Sequence, residues 1–141
     1  MRSGPHGDPV ASSGVRDRVG VLLLLFGVGQ LALGGLMALA PGTFFDQIGP
    51  YAPRNDHYIR DLSTFYGALG VVAVASWRRV SWRVPVLVLA LVQYGLHVVN
   101  HLVDIGDADP KRLGPANAAS LAATSALLGW MLWASVRERR E

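Results

Sequence analysis

The chain of 141 residues contains no cysteine. That removes disulfides, thiolate metal sites, cysteine nucleophiles and iron–sulfur ligation in one step. Charge is also scarce. Only 16% of the residues are Asp, Glu, Lys or Arg, against about 25% in soluble domains. Lysine is nearly missing: Lys111 stands alone beside twelve arginines, a bias we read as genome composition rather than mechanism. No glycine-flanked elbow surrounds Ser63, Ser120 or Ser125, and no phosphate-cradling loop precedes a helix. Nucleophilic serine chemistry and a nucleotide fingerprint are thereby excluded, while an enzymatic role of another kind stays open.

Apolar sequence is what the chain has in quantity. Hydrophobic residues make up 51%, and the mean hydropathy is +0.31. Residues 1–18 are rich in Gly, Ser, Pro and Asp without periodicity, and we expect a disordered tail there. Four apolar runs follow at about 19–40, 57–77, 84–103 and 115–136, each near the roughly 20 residues that cross a bilayer core. Residues 137–141 form a short second tail. Pro41-Gly42 stops the first run, and Pro85 and Pro115 fall where first helical turns are expected. "ALA" at 38–40 imitates a signal-peptide cleavage region, but the run before it exceeds the roughly 7–15 residues of a signal core. The expectation is one all-α domain over 19–136, a four-helix transmembrane bundle in the cell membrane.

Basic residues set the orientation. Arg2, Arg16, Arg18, Arg78, Arg79, Arg83, Arg137, Arg139 and Arg140 fall on one side of the spans, and Arg54, Arg60, Lys111 and Arg112 on the other. The positive-inside rule then makes both termini cytoplasmic and the two longer loops external. This pattern, and not nucleic acid, accounts for the pI near 9.8. No basic stripe carries interleaved aromatics. The partner is the lipid bilayer, with a homo-oligomer or a membrane partner left open. Gly20, Gly27 and Gly34 recur every seven residues, and Ala119, Ala123 and Ala126 line one side of the last run. Both are small-residue seams of the kind that packs helices. Gln30, alone among apolar neighbours, is expected to be a hydrogen-bond partner. In the first external loop, Thr43 is positioned to cap a short aromatic turn with Phe44, Phe45 and Ile48, with Tyr51 as a further headgroup anchor.

The third run ends in "QYGLHVVNHLVD". At about 100° per residue, Gln93, His97, Asn100, His101 and Asp104 share one face. His57, Asp61, Thr64 and Ala68 share a face of the second helix, and Asn117, Ser120 and Thr124 one of the fourth. By depth, His57 matches His101 near the outer surface, and Asp61 matches His97 about 6 Å deeper. Ionisable groups in lipid face a bundle interior or a water-filled cavity. The second and third spans are therefore expected to meet along these edges.

Two roles compete for such a cluster. In the first it is an outward-facing buried site for a metal ion or a small polar ligand. His97 with His101, and His57 with Asp61, have the i, i+4 spacing that lets two side chains ligate one ion, here a divalent transition metal. Haem, bound between His57 and His97, ranks below a single metal ion. Asp104, Asp107 and Asp109 lack the glycine and bidentate Glu of a calcium loop. In the second role the protein is a structural or partner subunit and the cluster is interhelical packing, each hydrogen bond stabilising by about 0.6–2 kcal/mol. Arg60 would reach back to Asp56. Transport or proton relay is a further reading, although four helices are few for a channel.

The stretch "PGTFFDQIGPYAPRNDHYIRDLSTFYGALG", followed by a histidine-bearing third span, resembles a family of small four-span bacterial integral membrane proteins without an established activity. Their outer aromatic loop leads to an Asn-acid-His-x-x-Arg-Asp motif, here Asn55, Asp56, His57, Arg60 and Asp61. The third span carries histidines near its outer end, here His97 and His101. The likeness covers most of 19–136. Asp56 replaces a glutamate, and the run before it is shorter. The layout is also similar, more coarsely, to DoxX-like proteins. The resemblance implies a shared outer polar cluster and brings no activity.

Overall fold

A computed structural model describes the backbone of residues 10–137 and the side chains of residue 14 and residues 18–137. Five helices follow one another: α1 (Val10–Leu39), α2 (Pro41–Gln47), α3 (Asp56–Arg78), α4 (Val80–Val103) and α5 (Leu113–Arg137). Helix α1 begins well before position 19. Residues 1–9 of the first expected tail and 138–141 of the second lie outside the described residues. The all-α bundle is as expected, but the spans are not clearly four. Among the described residues, Arg18–Leu39, Val80–Val103 and Leu113–Arg137 are long and apolar enough to cross a membrane. Helix α3 is not, because Asp56, His57, Arg60, Asp61 and Thr64 crowd its first turns.

Only 22–33% of the most apolar window of each candidate span is buried within the chain. Leu25, Val92, Leu96, Val99 and Trp133 are among the many large apolar side chains left on the surface. A surface of this kind is tolerated by hydrocarbon and not by water.

Local chemistry sets each helix end. Helix α1 ends at Ala40, outside helical geometry, because Pro41 begins a new helix. Helix α2 starts on Pro41 with no side-chain cap, so Thr43 lies inside it and is not the expected cap. The Asn55 side chain caps α3, accepting the N–H of His57 at 3.1 Å and of Tyr58 at 3.2 Å. Arg79 alone makes the corner between α3 and α4. The last carbonyls of α3 lack intrahelical donors. Buried Arg83 supplies them, giving Nε–H to Ser76 at 3.2 Å and Nη2–H to Trp77 at 2.8 Å. Helix α4 starts at Val80, earlier than expected, which places Pro85 in its second turn.

The two closest pairings are α1 with α3 and α4 with α5. The glycine seam of α1 explains the first. A Cβ on Gly27 would lie 2.9 Å from the Gly70 carbonyl oxygen, and one on Gly34 3.0 Å from that of Ser63. The two backbones touch, as small residues allow. The seam is thus spent inside the chain, whereas Ala119, Ala123 and Ala126 of α5 are exposed. Helices α3 and α4 meet far less, and among the described residues the backbones of α3 and α5 stay apart. The core runs through Leu23, Leu69, Leu87, Leu128 and Met131.

The α2 end of the bundle is roofed. Tyr51 forms an isolated antiparallel bridge with Ala108, and the Asp109 N–H donates to the Pro50 carbonyl at 3.1 Å. Asn117 Nδ2 donates to the Ile48 carbonyl at 2.8 Å. The two long loops and the start of α5 are thereby tied together.

Candidate functional site

The expected stripe on α4 exists. His97 and His101 stack with ring centroids 4.8 Å apart and 11° between planes, their Nε2 atoms 3.0 Å apart. Gln93 Nε2 lies 3.4 Å from His97 Nδ1, and the same side chain reaches Tyr66 of α3. Asn100 and Asp104 are exposed further along; the Asp104 N–H closes α4 on the Asn100 carbonyl at 3.0 Å.

The α3 half of the expected cluster is elsewhere. His57, Asp61, Thr64 and Ala68 do share a face, but all four are exposed. The His57 and Asp61 side chains retain 83% and 65% of their accessible surface and lie 3.4 Å apart on their own helix. Thr64 Oγ1 donates back to the Asp61 carbonyl at 2.7 Å. The reason is steric. The opposite face, with Ser63, Gly70 and Ala73, offers the small residues on which α1 closes. Asp56 binds Arg54 through both oxygens, at 2.6 and 3.0 Å, and Arg60 acts on it as a further, smaller favourable charge. These hydrogen bonds hold the Asp56 carboxyl below the usual carboxylate range and raise the Arg54 guanidinium.

The metal expectation fails on this geometry. Among the described residues, no group of three or more His, Cys, Asp or Glu is gathered to hold an ion. His97 and His101 are together, but His57 and Asp61 do not complete them. The divalent metal falls, and so does a haem between His57 and His97. The packing alternative falls in the form expected, since the stripe does not join α3 to α4 through His57 or Asp61. Most of these polar groups bond within their own helix; Ser120 Oγ, for example, donates to the Asn117 carbonyl at 2.9 Å.

In place of that cluster there is a cavity of about 330 Å³ under the roof, with contributions from every helix. Its body is apolar, with Leu33, Phe44, Leu62 and Leu121. One side is polar, with His97, His101 and the Tyr51, Tyr66 and Tyr94 rings, and Asn117, Ser120 and Thr124 add neutral groups from α5. Sequence reasoning placed Tyr51 in the headgroup region. The structure turns its hydroxyl to His101 Nδ1 at 3.0 Å, the rings edge to face. Tyr66 and Tyr94 were missed, since an aromatic inside an apolar run carries no polar signal. Gln30 is a hydrogen-bond partner, as expected: its Nε2 donates to the Tyr94 hydroxyl at 2.7 Å, leaving its buried Oε1 unpartnered.

Compared with known proteins, the chain matches no family model, no curated protein and no solved structure.

Proposed function

We propose that the chain is a four-span membrane protein that holds an amphiphile in this cavity, a molecule with an apolar body and one hydrogen-bonding head. The roofed cavity with one polar side is the observation that carries the reading. Its size falls in the range of about 300–1,000 Å³ typical of small-molecule sites, and its mostly apolar lining suits a molecule drawn from the bilayer. Leu62 on α3 and Ser120 on α5 line it and are exposed, and the backbones of these two helices stay apart. The gap between them is the mouth.

Helix α3 completes the four spans. From Leu62 to Trp77 it carries sixteen residues without a charge, about 24 Å of helix, and a core of about 30 Å tolerates such a shortfall by thinning or by snorkelling of flanking groups. His57 and Asp61 then lie at the water boundary. Orientation rests on the basic count. Arg78 over Trp77, Arg79 over Trp82 and Arg137 over Trp133, with 4.6–5.3 Å from guanidinium to ring, all lie at the end opposite α2. The Trp rings mark a membrane interface, and the positive-inside rule makes this arginine-rich one cytoplasmic, which puts both termini inside and the cavity outside. The Asn55–Asp61 motif and the histidines of α4 support the likeness to small four-span membrane proteins.

The test is extraction of the purified full chain followed by mass spectrometry of its lipophiles, compared with Leu121→Trp, which fills the cavity. A stoichiometric lipophile in the parent and none in the variant is expected. Identical extracts refute the reading.

A further inference from the structure

Tyr51, His97 and His101 line two spaces at once. One is the amphiphile cavity. The other is a smaller cleft of about 130 Å³ completed by Asn100 and the exposed Asp104. The partition between an acidic outer cleft and an apolar cavity is therefore built of a phenol and two imidazoles, all three hydrogen-bonded in series. The Tyr51 hydroxyl lies 3.0 Å from His101 Nδ1, His101 Nε2 lies 3.0 Å from His97 Nε2, and His97 Nδ1 lies 3.4 Å from Gln93 Nε2.

A neutral imidazole has one N–H and one bare nitrogen. The series can therefore be ordered in two senses. In one, Tyr51 donates to His101, His101 Nε2–H donates to His97, and His97 keeps its proton on Nδ1. In the other, Gln93 donates to His97 Nδ1, His97 Nε2–H donates to His101, and His101 Nδ1–H donates to the Tyr51 oxygen. Passage of one proton along the series converts the first order into the second. The contact to Gln93 is the longest of the three, and it is the one a ligand oxygen can replace.

We propose that Tyr51, His101 and His97 carry protons between the outer cleft and the head of the bound amphiphile, which is therefore a lipophilic oxygen acid. The ligand oxyanion takes the proton of His97 Nδ1. His97 Nε2 takes that of His101 Nε2, His101 Nδ1 takes that of Tyr51, and Tyr51 is reprotonated from water in the cleft. Both rings end neutral with their protons on the opposite nitrogens. The ligand has gained one proton and the solvent has lost one. Release of a proton by the next ligand runs the series backwards and resets it. Gln93 is a positioning residue.

Exchange is one-sided. Inward of the series Gln30 pairs with Tyr94, and the apolar core of Leu23, Leu87, Ala90 and Leu128 separates that pair from buried Ser76, Arg83 and Ser135 at the opposite end. The titratable groups that face the pair are Asp104 from the end of α4, Tyr51 from the loop, Tyr66 from α3 and Tyr94 from α4. Helix α5 offers only neutral Asn117, Ser120 and Thr124.

This inference rests on the amphiphile reading of the cavity, and the experiment separates the two. The full chain is reconstituted in vesicles with dodecyl nitrophenol, whose colour reports the phenolate, and the signal of protein-free vesicles is subtracted. A proton pulse is released from an impermeant caged acid, either outside or inside. The protein-bound probe should answer the outer pulse and not the inner one. In His97→Phe and His101→Phe, which keep a stacked ring, the response per bound probe molecule should slow about a hundredfold. Tyr51→Phe removes a single oxygen and keeps the test decisive should either histidine variant fail to fold. If the parent binds no more probe than Leu121→Trp, the cavity reading fails and takes the relay with it. A bound probe that answers both pulses alike, or that responds as fast in all three ring variants, overturns the relay alone.

Discussion

Replacing Gly27 by alanine tests how α1 and α3 are held together. The added Cβ would lie 2.8 Å from the Val74 amide nitrogen and 2.9 Å from the Gly70 carbonyl oxygen. Both are backbone atoms within α3, so neither can swing aside as a side-chain tip would. The helices must separate by several tenths of an ångström along a seam that continues through Gly34 and Ser63. Overpacking of this kind costs roughly 1–3 kcal/mol, which lowers the folded-to-unfolded ratio about 5- to 150-fold. Gly29 is the control. It lies two residues away on the same helix, and a Cβ there meets nothing within 4 Å. Gly29→Ala should be neutral or gain up to about 1 kcal/mol from helix propensity. The assay is reversible unfolding of the full chain in mixed micelles, titrated with a denaturing detergent. If Gly27→Ala is as stable as Gly29→Ala, the backbone contact between α1 and α3 is wrong, and so is the reason for the outward turn of His57 and Asp61.

Tyr94→Phe removes the acceptor of the buried Gln30 amide, and should cost about 0.6 kcal/mol in the same titration and at most about 1.7, the mean and maximum for interhelical hydrogen bonds in a membrane protein; no loss would refute the bond. The absence of native cysteine makes topology directly measurable. Lys111→Cys should react with an impermeant maleimide on intact cells and Arg79→Cys only after permeabilisation, and the reverse pattern would invert the orientation. Asp56 is stabilised as the carboxylate by Arg54, so their hydrogen bonds are present above the ordinary carboxylate range and are lost as pH falls through the depressed value. Arg54→Ala should return the Asp56 titration upward toward that range, read by carboxyl carbon NMR; an unchanged midpoint would show that Arg54 is not the cause.

The long helices were legible because apolar runs of some twenty residues leave few alternatives. Their ends were less so. Val80 begins α4 before the expected run because the Arg79 corner is a single residue and the long Arg83 side chain folds back to satisfy the end of α3. A hydropathy reading counts Arg83 as a boundary, whereas the structure buries it. Thr43 misled for a related reason. Threonine is a good cap, but Pro41 has a fixed backbone angle suited to a first helical position and starts α2 two residues earlier.

The candidate site shows a deeper limit. Periodicity states which residues share a face and is silent on which neighbour that face meets. Helix α3 carries two coherent faces, one polar with His57, Asp61, Thr64 and Ala68, the other small with Ser63, Gly70 and Ala73. Assigning the polar face inward assumed that the cost of an ionisable group in lipid outweighs every other term. That holds only at hydrocarbon depth. His57 and Asp61 lie within the first six residues of α3, just after the exposed cap Asn55, where the penalty is small. There the contact between glycine backbones decides, and it turns the small face toward α1. His97 lies about a turn deeper than His101 on α4, and for it the original argument holds. It is partly buried, paired with His101 and directed to a cavity. Depth along the helix separates His97 from His57, and His101, at the level of His57, is drawn in by its contact with His97.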